Sequence, residues 1–279
     1  MEDEKRDASE EPIDTHRELT ADIEPEAMAV VDAAAADVKA TIDGGRSMEE
    51  IKAAVDWVRG WLMGILATWQ DYDRLHAFFA DCIQDENSWA GGRNKALLLL
   101  GPGRNGKTTI VHTLAALLGS EMLSYRADLG SQFGLEGLLD KRLNVISDFP
   151  AWPRLSSRAA NFKRIMAGEP VTMERKYAEP VNESLRINFI ATTNEIPEDL
   201  SESAMIKRFD IVHCGQEIVN PDPEFFKNEI LPNLARIRTW AATILSRGSS
   251  DISKCVNCGK PGSHFVPPSL GEDGFFICE

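Results

Sequence analysis

The sequence predicts an α/β fold built on a parallel sheet, and three features support that class. Residues 97–100, 143–147 and 187–192 are short apolar runs of the kind that form strands buried on both faces. Helical stretches separate these runs, as expected when helices cover a parallel sheet. The 279 residues are 43% hydrophobic, which is enough for a sizeable core.

Helices are predicted before and after this sheet. Ser47 and Glu50 form a capping box, after which apolar residues continue at helical spacing through Trp57, Trp61 and Ile65. Further helices are predicted over residues 72–83, 109–118 and 224–247, and we interpret their apolar and aromatic stripes as core packing. We therefore divide the chain into an acidic tail (1–30), a helical region (31–90), the α/β domain (91–247) and a cysteine-containing segment (248–279).

The net charge of −14 is unevenly distributed. Residues 1–26 hold eleven acidic and three basic residues, so we expect a solvated tail, either inert or able to occupy a basic channel. Residues 93–208 hold sixteen Lys and Arg against thirteen Asp and Glu, which predicts that a polyanion binds there. No apolar run could span a bilayer and no secretion signal is evident, so a cytoplasmic location in a bacterial or archaeal host is expected.

A glycine-rich loop follows the first predicted strand. It fits G-x-x-x-x-G-K-[ST] between a strand and a helix, the setting in which backbone N–H groups and a helix N-terminus hold phosphates. The pattern predicts a nucleoside triphosphate site in which Lys107 reaches the β- and γ-phosphates and Thr108 binds Mg²⁺. The predicted nucleotide-binding residues are Gly101, Pro102, Gly103, Arg104, Asn105, Gly106, Lys107, Thr108 and Thr109.

Asp148 is the acidic residue expected to accompany this loop, because it ends the strand at residues 143–147. The preceding residue is Ser147 and not a second acid. Asp148 could therefore be the Mg²⁺ ligand or the residue that activates water, and Glu169 could assist it.

Six motifs in order resemble the superfamily three (AAA+ type) helicases, and most of all the poxvirus-type helicase part of phage and plasmid primase–helicases. The resemblance covers about residues 70–247. Its motifs are NGKT (105–108), KRLNVISD (141–148), FKRIMAGEPV (162–171), RKY (175–177), FIATTNEIP (189–197) and KRF (207–209).

The resemblance implies an ATP hydrolase that acts as a DNA helicase in replication of a phage, plasmid or integrated element. Asn194 would orient the attacking water, since an amide both donates and accepts hydrogen bonds. Arg208 would be supplied to the ATP of a neighbouring subunit, with Lys207 as the alternative residue for this role. Family members form rings, typically hexamers, so the partners implied are single-stranded or forked DNA and further copies of the chain.

The resemblance also places a DNA-contacting hairpin within residues 168–184. Arg175 and Lys176 would hold phosphates and Tyr177 would stack on a base, with Lys163 and Arg164 as second choices. We expect neither the primase domain nor the winged-helix domain that many members carry. A separate primase or initiator is therefore an expected partner.

The C-terminal segment contains a C-x-x-C-G pattern. Cys255 and Cys258 could bind Zn²⁺ with Cys278 and, as a fourth ligand, His264 or Glu279. The alternative is a shortened zinc ribbon, or one that another chain completes.

Two other functions fit parts of the sequence. An ATP-dependent DNA-binding initiator or loader would need the same nucleotide site without unwinding activity. A small-molecule kinase shares the phosphate loop, but it does not account for the spacing of Asn194 and Arg208.

Overall fold

The computed structural model describes residues 47–83, 94–149, 156–196, 205–215, 217–218, 220–246, 264–266 and 275–277. The acidic tail and the cysteines at positions 255, 258 and 278 lie outside the described residues.

Helices and strands alternate through most of the described chain. The helices are α1 (Met48–Met63), α2 (Trp69–Ile83), α3 (Lys107–Leu118), α4 (Ser157–Ala167) and α5 (Leu234–Ser246). The strands are β1 (Ala96–Leu100), β2 (Leu123–Ser124), β3 (Leu143–Ile146), β4 (Val171–Arg175), β5 (Ala178–Glu183), β6 (Asn188–Thr193), β7 (Phe209–His213), β8 (His264–Val266) and β9 (Phe275–Ile277).

Five strands form one parallel sheet in the order β2-β3-β6-β1-β7. β1 lies between β6 and β7, and β6 separates β1 from β3. The predicted α/β class with a parallel sheet is therefore confirmed, and the arrangement fits a P-loop-like core. Because ligands bind beyond the carboxyl ends of parallel strands, the loops after β1, β3 and β6 occupy the important edge of the sheet.

Two apolar clusters hold the helices on the sheet. In one cluster, α1, α2, α3 and α5 pack against β1, and the fully buried Trp240 of α5 lies among them. In the other, Phe162 of α4 contacts Phe189 of β6 and Phe209 of β7, with ring centroids 5.2 and 5.1 Å apart. Helices on both faces explain why the strand sequences are continuously apolar.

The start of α1 confirms the predicted capping box. The Ser47 hydroxyl accepts a hydrogen bond from the Glu50 N–H, and the Glu50 carboxylate accepts one from the Ser47 N–H. The helix predicted over residues 224–247 is not continuous. A π-helical turn (Phe226–Ile230) and a 3₁₀ turn (Leu231–Asn233) precede α5. Pro232 explains the interruption, because it lacks the N–H that an α-helix would require.

β4 and β5 form a separate antiparallel hairpin, as predicted for residues 168–184. β8 pairs with β9 in a second hairpin, with His264 opposite Ile277. None of the helices described here has the length and apolar character needed to cross a membrane.

Candidate nucleotide site

A cleft of about 930 Å³ lies at the carboxyl edge of the sheet. The loop after β1 contributes Lys107 and Thr108, Asp148 follows β3, and Asn194 follows β6. Neighbouring parallel strands end at the same edge, so Lys107 and Asn194, which are 87 positions apart in the chain, line one cleft. Of the predicted loop residues, Gly103 to Thr109 line the cleft, whereas Gly101 and Pro102 contact Lys107 through their carbonyl oxygens.

Two loop positions require glycine, one because another backbone approaches closely and the other because of its backbone conformation. A Cβ on Gly101 would overlap the carbonyl oxygen of Cys214 and lie 2.6 Å from the Asn105 side-chain nitrogen. Gly106 has φ +82°, a left-handed conformation, and leads directly into α3. Arg104 also has a positive φ of 56° and its side chain is exposed in the cleft. The loop therefore curls in front of the α3 N-terminus, where N–H groups can hold an anion.

Lys107 is held by the loop itself. Its ammonium donates hydrogen bonds to the carbonyl oxygens of Gly101 (2.6 Å) and Pro102 (2.7 Å) and to the side-chain oxygens of Asn105 (3.1 Å) and Asn194 (3.2 Å). Burial lowers the pKa of Lys107, against the opposing influence of Cys214 and Asp148. The lysine is only 8% exposed, yet it lines the cleft, so its charge is available to a bound anion.

Asp148 has an uncommon backbone conformation, with φ 47°. Thr192 of β6 holds Asp148 in this conformation. The Thr192 hydroxyl accepts a hydrogen bond from the Asp148 N–H (3.2 Å), and the Thr192 carbonyl accepts one from the Phe149 N–H (2.7 Å). Strained residues of this kind are concentrated at functional sites. No sequence pattern indicates Thr192, because only the pairing of β3 with β6 reveals the contact.

The acid and hydroxyl groups of the cleft suit a hard divalent cation. Thr108 and Asp148 both line the cleft and offer oxygen ligands, which Mg²⁺ prefers. Among the residues that the structure describes, no three His, Cys, Asp or Glu side chains form a metal-binding group. A cation here would thus depend on these two residues together with ligand phosphates and water.

Cys214 forms the floor beneath the loop. Its carbonyl accepts a hydrogen bond from the Asn105 side chain (2.9 Å), and its N–H donates to the Leu100 carbonyl (2.8 Å). Burial raises the pKa of the Cys214 thiol to about 12, so the side chain remains neutral at physiological pH. Ile218, four residues after Cys214, also contacts the loop: its N–H donates a hydrogen bond to the Arg104 carbonyl (2.8 Å).

One side of α1 forms a wall of the same cleft. Trp57 and Trp61 line it, whereas their helical spacing predicts core packing for both. They are half-buried, so each has one part on the core and another on the cleft. Ile65 is buried and supports Gly106 from below: a Cβ there would lie 2.8 Å from the Ile65 side chain. This correction makes α1 a part of the candidate site.

The residues predicted to bind DNA lie elsewhere. Arg175 ends β4, and Lys176 and Tyr177 form the turn into β5, with Tyr177 fully exposed at φ 59°. The Lys176 ammonium lies 5.7 Å from the centroid of the Phe133 ring. Lys163 and Arg164 lie on α4, one half-buried and the other exposed.

Arg208 and Lys207 belong to a 3₁₀ turn immediately before β7, where Lys207 is exposed and Arg208 is half-buried. Neither lines the cleft of its own chain. Glu169, the alternative acid, is exposed after α4 and is also outside the cleft. Of the five candidate zinc ligands, only His264 is described, at the start of β8. The three cysteines and Glu279 lie outside the described residues.

Comparisons with known proteins support the fold. A family of unknown function, DUF5906, matches residues 99–208, which include the loop, Asp148 and Asn194. No curated protein matches. Two apo structures of the C-terminal region of NrS-1 are similar, with TM-scores of 0.51 and 0.50 and identities of 22% and 21%. They cover 72% and 71% of this chain, which spans 47% and 46% of theirs. JCV helicase is a weaker match, at a TM-score of 0.42 and 15% identity, over 76% of this chain and 61% of that one.

Proposed function

We propose that the chain is the motor of an ATP-dependent DNA helicase that acts in replication of a phage, plasmid or integrated element. The observation that carries this proposal is the convergence of Lys107, Asp148 and Asn194 on one cleft at the carboxyl edge of the sheet. A cation, an acid and an amide around a glycine-rich loop are the groups that phosphoryl transfer to water requires.

Each group has a role in ATP hydrolysis under this proposal. Loop N–H groups and Lys107 hold the phosphates. Thr108 and Asp148 would hold Mg²⁺, which would supply neutralisation of the charge on the phosphoryl oxygens. Asn194 positions the attacking water, because its amide both donates and accepts hydrogen bonds. Burial lowers the pKa of Lys107, and the charge of Asp148 opposes that shift, which helps to keep the lysine protonated.

The site is completed by a second copy of the chain. Arg208 lies outside its own cleft, on the turn before β7, and we assign it to the ATP of the neighbouring protomer in a ring, with six subunits as the expected number. A guanidinium supplied in this way is worth about 10³–10⁵ in rate. Lys207 remains the alternative residue at this position.

DNA contact is assigned to the β4–β5 hairpin. Arg175, Lys176 and Tyr177 combine two phosphate-binding cations with an exposed ring at a protruding turn. Such contacts hold a strand without reading its sequence, as a translocating motor requires. A separate primase or initiator would load the motor onto DNA. The location proposed for this process is the cytoplasm of the host cell.

The decisive experiment is strand displacement from a forked duplex with ATP and Mg²⁺. The parent protein should unwind the fork, and Lys107→Ala should not, while Lys52→Ala, on the exposed side of α1, should behave as the parent. DNA-stimulated ATP hydrolysis without displacement would instead indicate the initiator or loader function. Hydrolysis that DNA leaves unchanged would contradict both DNA-dependent functions.

An ATP site shared between two protomers can be tested by mixing two inactive variants. Arg208→Ala protein should hydrolyse ATP at least about 10³-fold more slowly than the parent, and Lys107→Ala protein should be inactive. Combining the two variants should restore part of the activity, because some interfaces then join an intact cradle to an intact Arg208. No recovery in a mixture that assembles normally would contradict an arginine acting between subunits.

A further inference from the structure

We propose that the α1 wall of the cleft binds the nucleobase of the triphosphate, an inference that rests on the proposed nucleotide site. The wall comprises Trp57, Gly60, Trp61 and Gly64, which all line the cleft. Their spacing of three and four residues places them on one face of the helix. This wall lies outside residues 99–208, the part of the chain that DUF5906 matches.

Gly60 is the most informative residue in this wall. It lies inside α1, where glycine is less favourable than alanine because it loses more backbone entropy on folding. No protein atom lies within 4 Å of the position that a Cβ would occupy, so packing does not require glycine there. The open space faces the cleft, and a flat ring could approach the helix backbone closely at this point.

Aromatic side chains border this open space. The rings of Trp57 and Trp61 have centroids 6.2 Å apart and are tilted by 39°, and both line the cleft. Phe225, Pro221 and Ile218, from the segment after β7, contribute further apolar surface. Apolar and aromatic walls of this kind bind planar bases regardless of base identity.

The charges of the cleft are distributed to match a nucleotide. Among the described lining residues, the cationic side chains are Lys107 and Arg104, both on the glycine-rich loop. Three acidic lining residues, Asp56, Asp222 and Glu229, come from α1 and from the segment after β7, and the fourth, Asp148, is the proposed Mg²⁺ ligand at the phosphate end. An anion is thus favoured at the loop, whereas the α1 side suits an uncharged group with N–H donors. A triphosphate and its base have this polarity.

The test separates binding of the base from binding of the phosphates. Calorimetry with Mg²⁺ would measure the affinities of ATP and of inorganic tripolyphosphate for the parent, Gly60→Leu and Gly60→Ala. We expect Gly60→Leu to weaken ATP binding about tenfold or more and to leave tripolyphosphate binding unchanged. Gly60→Ala should weaken ATP binding in the same sense, yet raise the melting temperature by about 2–4 °C. Ala53→Leu, at an exposed α1 position outside the cleft, is the matched control.

Three results would overturn the proposal. If both Gly60 variants bind ATP as tightly as the parent, the base does not lie on α1, although the phosphate site stands. If the variants lose ATP and tripolyphosphate equally, the substitution acts on the phosphate end and not on the base. If the parent binds neither ligand, the proposed nucleotide site itself is wrong. Because Gly60→Ala adds a methyl group to open space, it keeps the test valid if Gly60→Leu does not fold.

Discussion

Asn194 and Lys107 are joined by a 3.2 Å hydrogen bond from the lysine ammonium to the asparagine side-chain oxygen. The same ammonium also donates to the carbonyl oxygens of Gly101 and Pro102. The cation is therefore satisfied by neutral acceptors of its own chain. Phosphate oxygens form stronger, charge-assisted hydrogen bonds and can replace these acceptors, so we expect a triphosphate to release Asn194 from the lysine.

The contact leads to a prediction for Asn194→Ala. The ATP hydrolysis rate should fall about 10²–10³-fold, as when other preorganised hydrogen-bonding groups are removed. ATP affinity should not weaken, because the substitution removes an acceptor that competes with phosphate for Lys107. Steady-state kinetics and equilibrium binding would be compared, with the exposed neighbour Glu195→Ala as the control. A loss of ATP affinity with kcat unchanged would instead indicate that Asn194 binds the ground state as strongly as the transition state.

Gly101 and Gly103 make a matched pair in the loop. Gly101→Ala should abolish measurable nucleotide binding, because its Cβ would overlap the Cys214 carbonyl and force the loop to move. Gly103→Ala should bind nucleotide within a few-fold of the parent, since a Cβ there meets no atom within 4 Å. Calorimetric titration of both variants checks this prediction. Retained binding in Gly101→Ala would show that the loop can shift away from Cys214 at little cost.

The part of the site that sequence predicts best is the part set by local spacing. The loop follows a fixed pattern between a strand and a helix, and Asp148 and Asn194 end apolar strands, so the sheet edge brings all three together. Their catalytic roles stay predictions. The sheet class was predictable for the same reason, because strands buried on both faces have distinctive apolar sequences.

Other parts of the site depend on contacts that no spacing reveals. Thr192 holds Asp148 across two strands, and Cys214 supports the loop from more than a hundred residues away. Trp57 has the helical spacing of a core residue, and the pattern does not distinguish a core from a cleft wall. The edge strand β2 has only two residues, too few for a periodicity to be detected.

Tyr72 makes a buried hydrogen bond that can be tested by stability. The Trp240 indole N–H donates to the Tyr72 hydroxyl at 2.7 Å, and both side chains are buried. Tyr72→Phe would leave a buried donor without its acceptor, so the free energy of unfolding should fall by about 1–3 kcal/mol in a urea titration. Tyr177→Phe, at a fully exposed position, should leave it unchanged. Equal stability of the two variants would contradict the importance of this bond.

The same tyrosine predicts a dependence on pH. Burial raises the pKa of Tyr72 from 10.0 to about 12, so the folded state retains the phenolic proton where the unfolded state has released it. The contribution of Tyr72 to stability is complete below pH 10 and is lost as the pH rises through about 12. Urea titrations at pH 9 to 11 should therefore show a smaller decline for Tyr72→Phe than for the parent. Identical slopes would contradict the shift.

The salt dependence of DNA binding tests the proposed role of the β4–β5 hairpin. Arg175→Ala and Lys176→Ala should each weaken binding to a single-stranded oligonucleotide and reduce the slope of log K against log salt by about 0.7, the value for one lost phosphate contact. Tyr177→Ala should weaken binding by about 5- to 100-fold without changing the slope, because stacking releases no counterions. Fluorescence anisotropy across a salt series measures both quantities.

A basic residue outside the hairpin is the control for this series. Lys52 is exposed on α1, so Lys52→Ala removes the same charge from the chain without touching the β4–β5 turn. If Lys52→Ala changed the slope as much as Arg175→Ala, only the net charge would matter and the hairpin would have no special role. If the slope depends on Arg175 and Lys176 but not on Lys52, DNA phosphates must bind at the β4–β5 turn. The exposed Tyr177 ring would then lie beside the bound strand, where a base can stack on it.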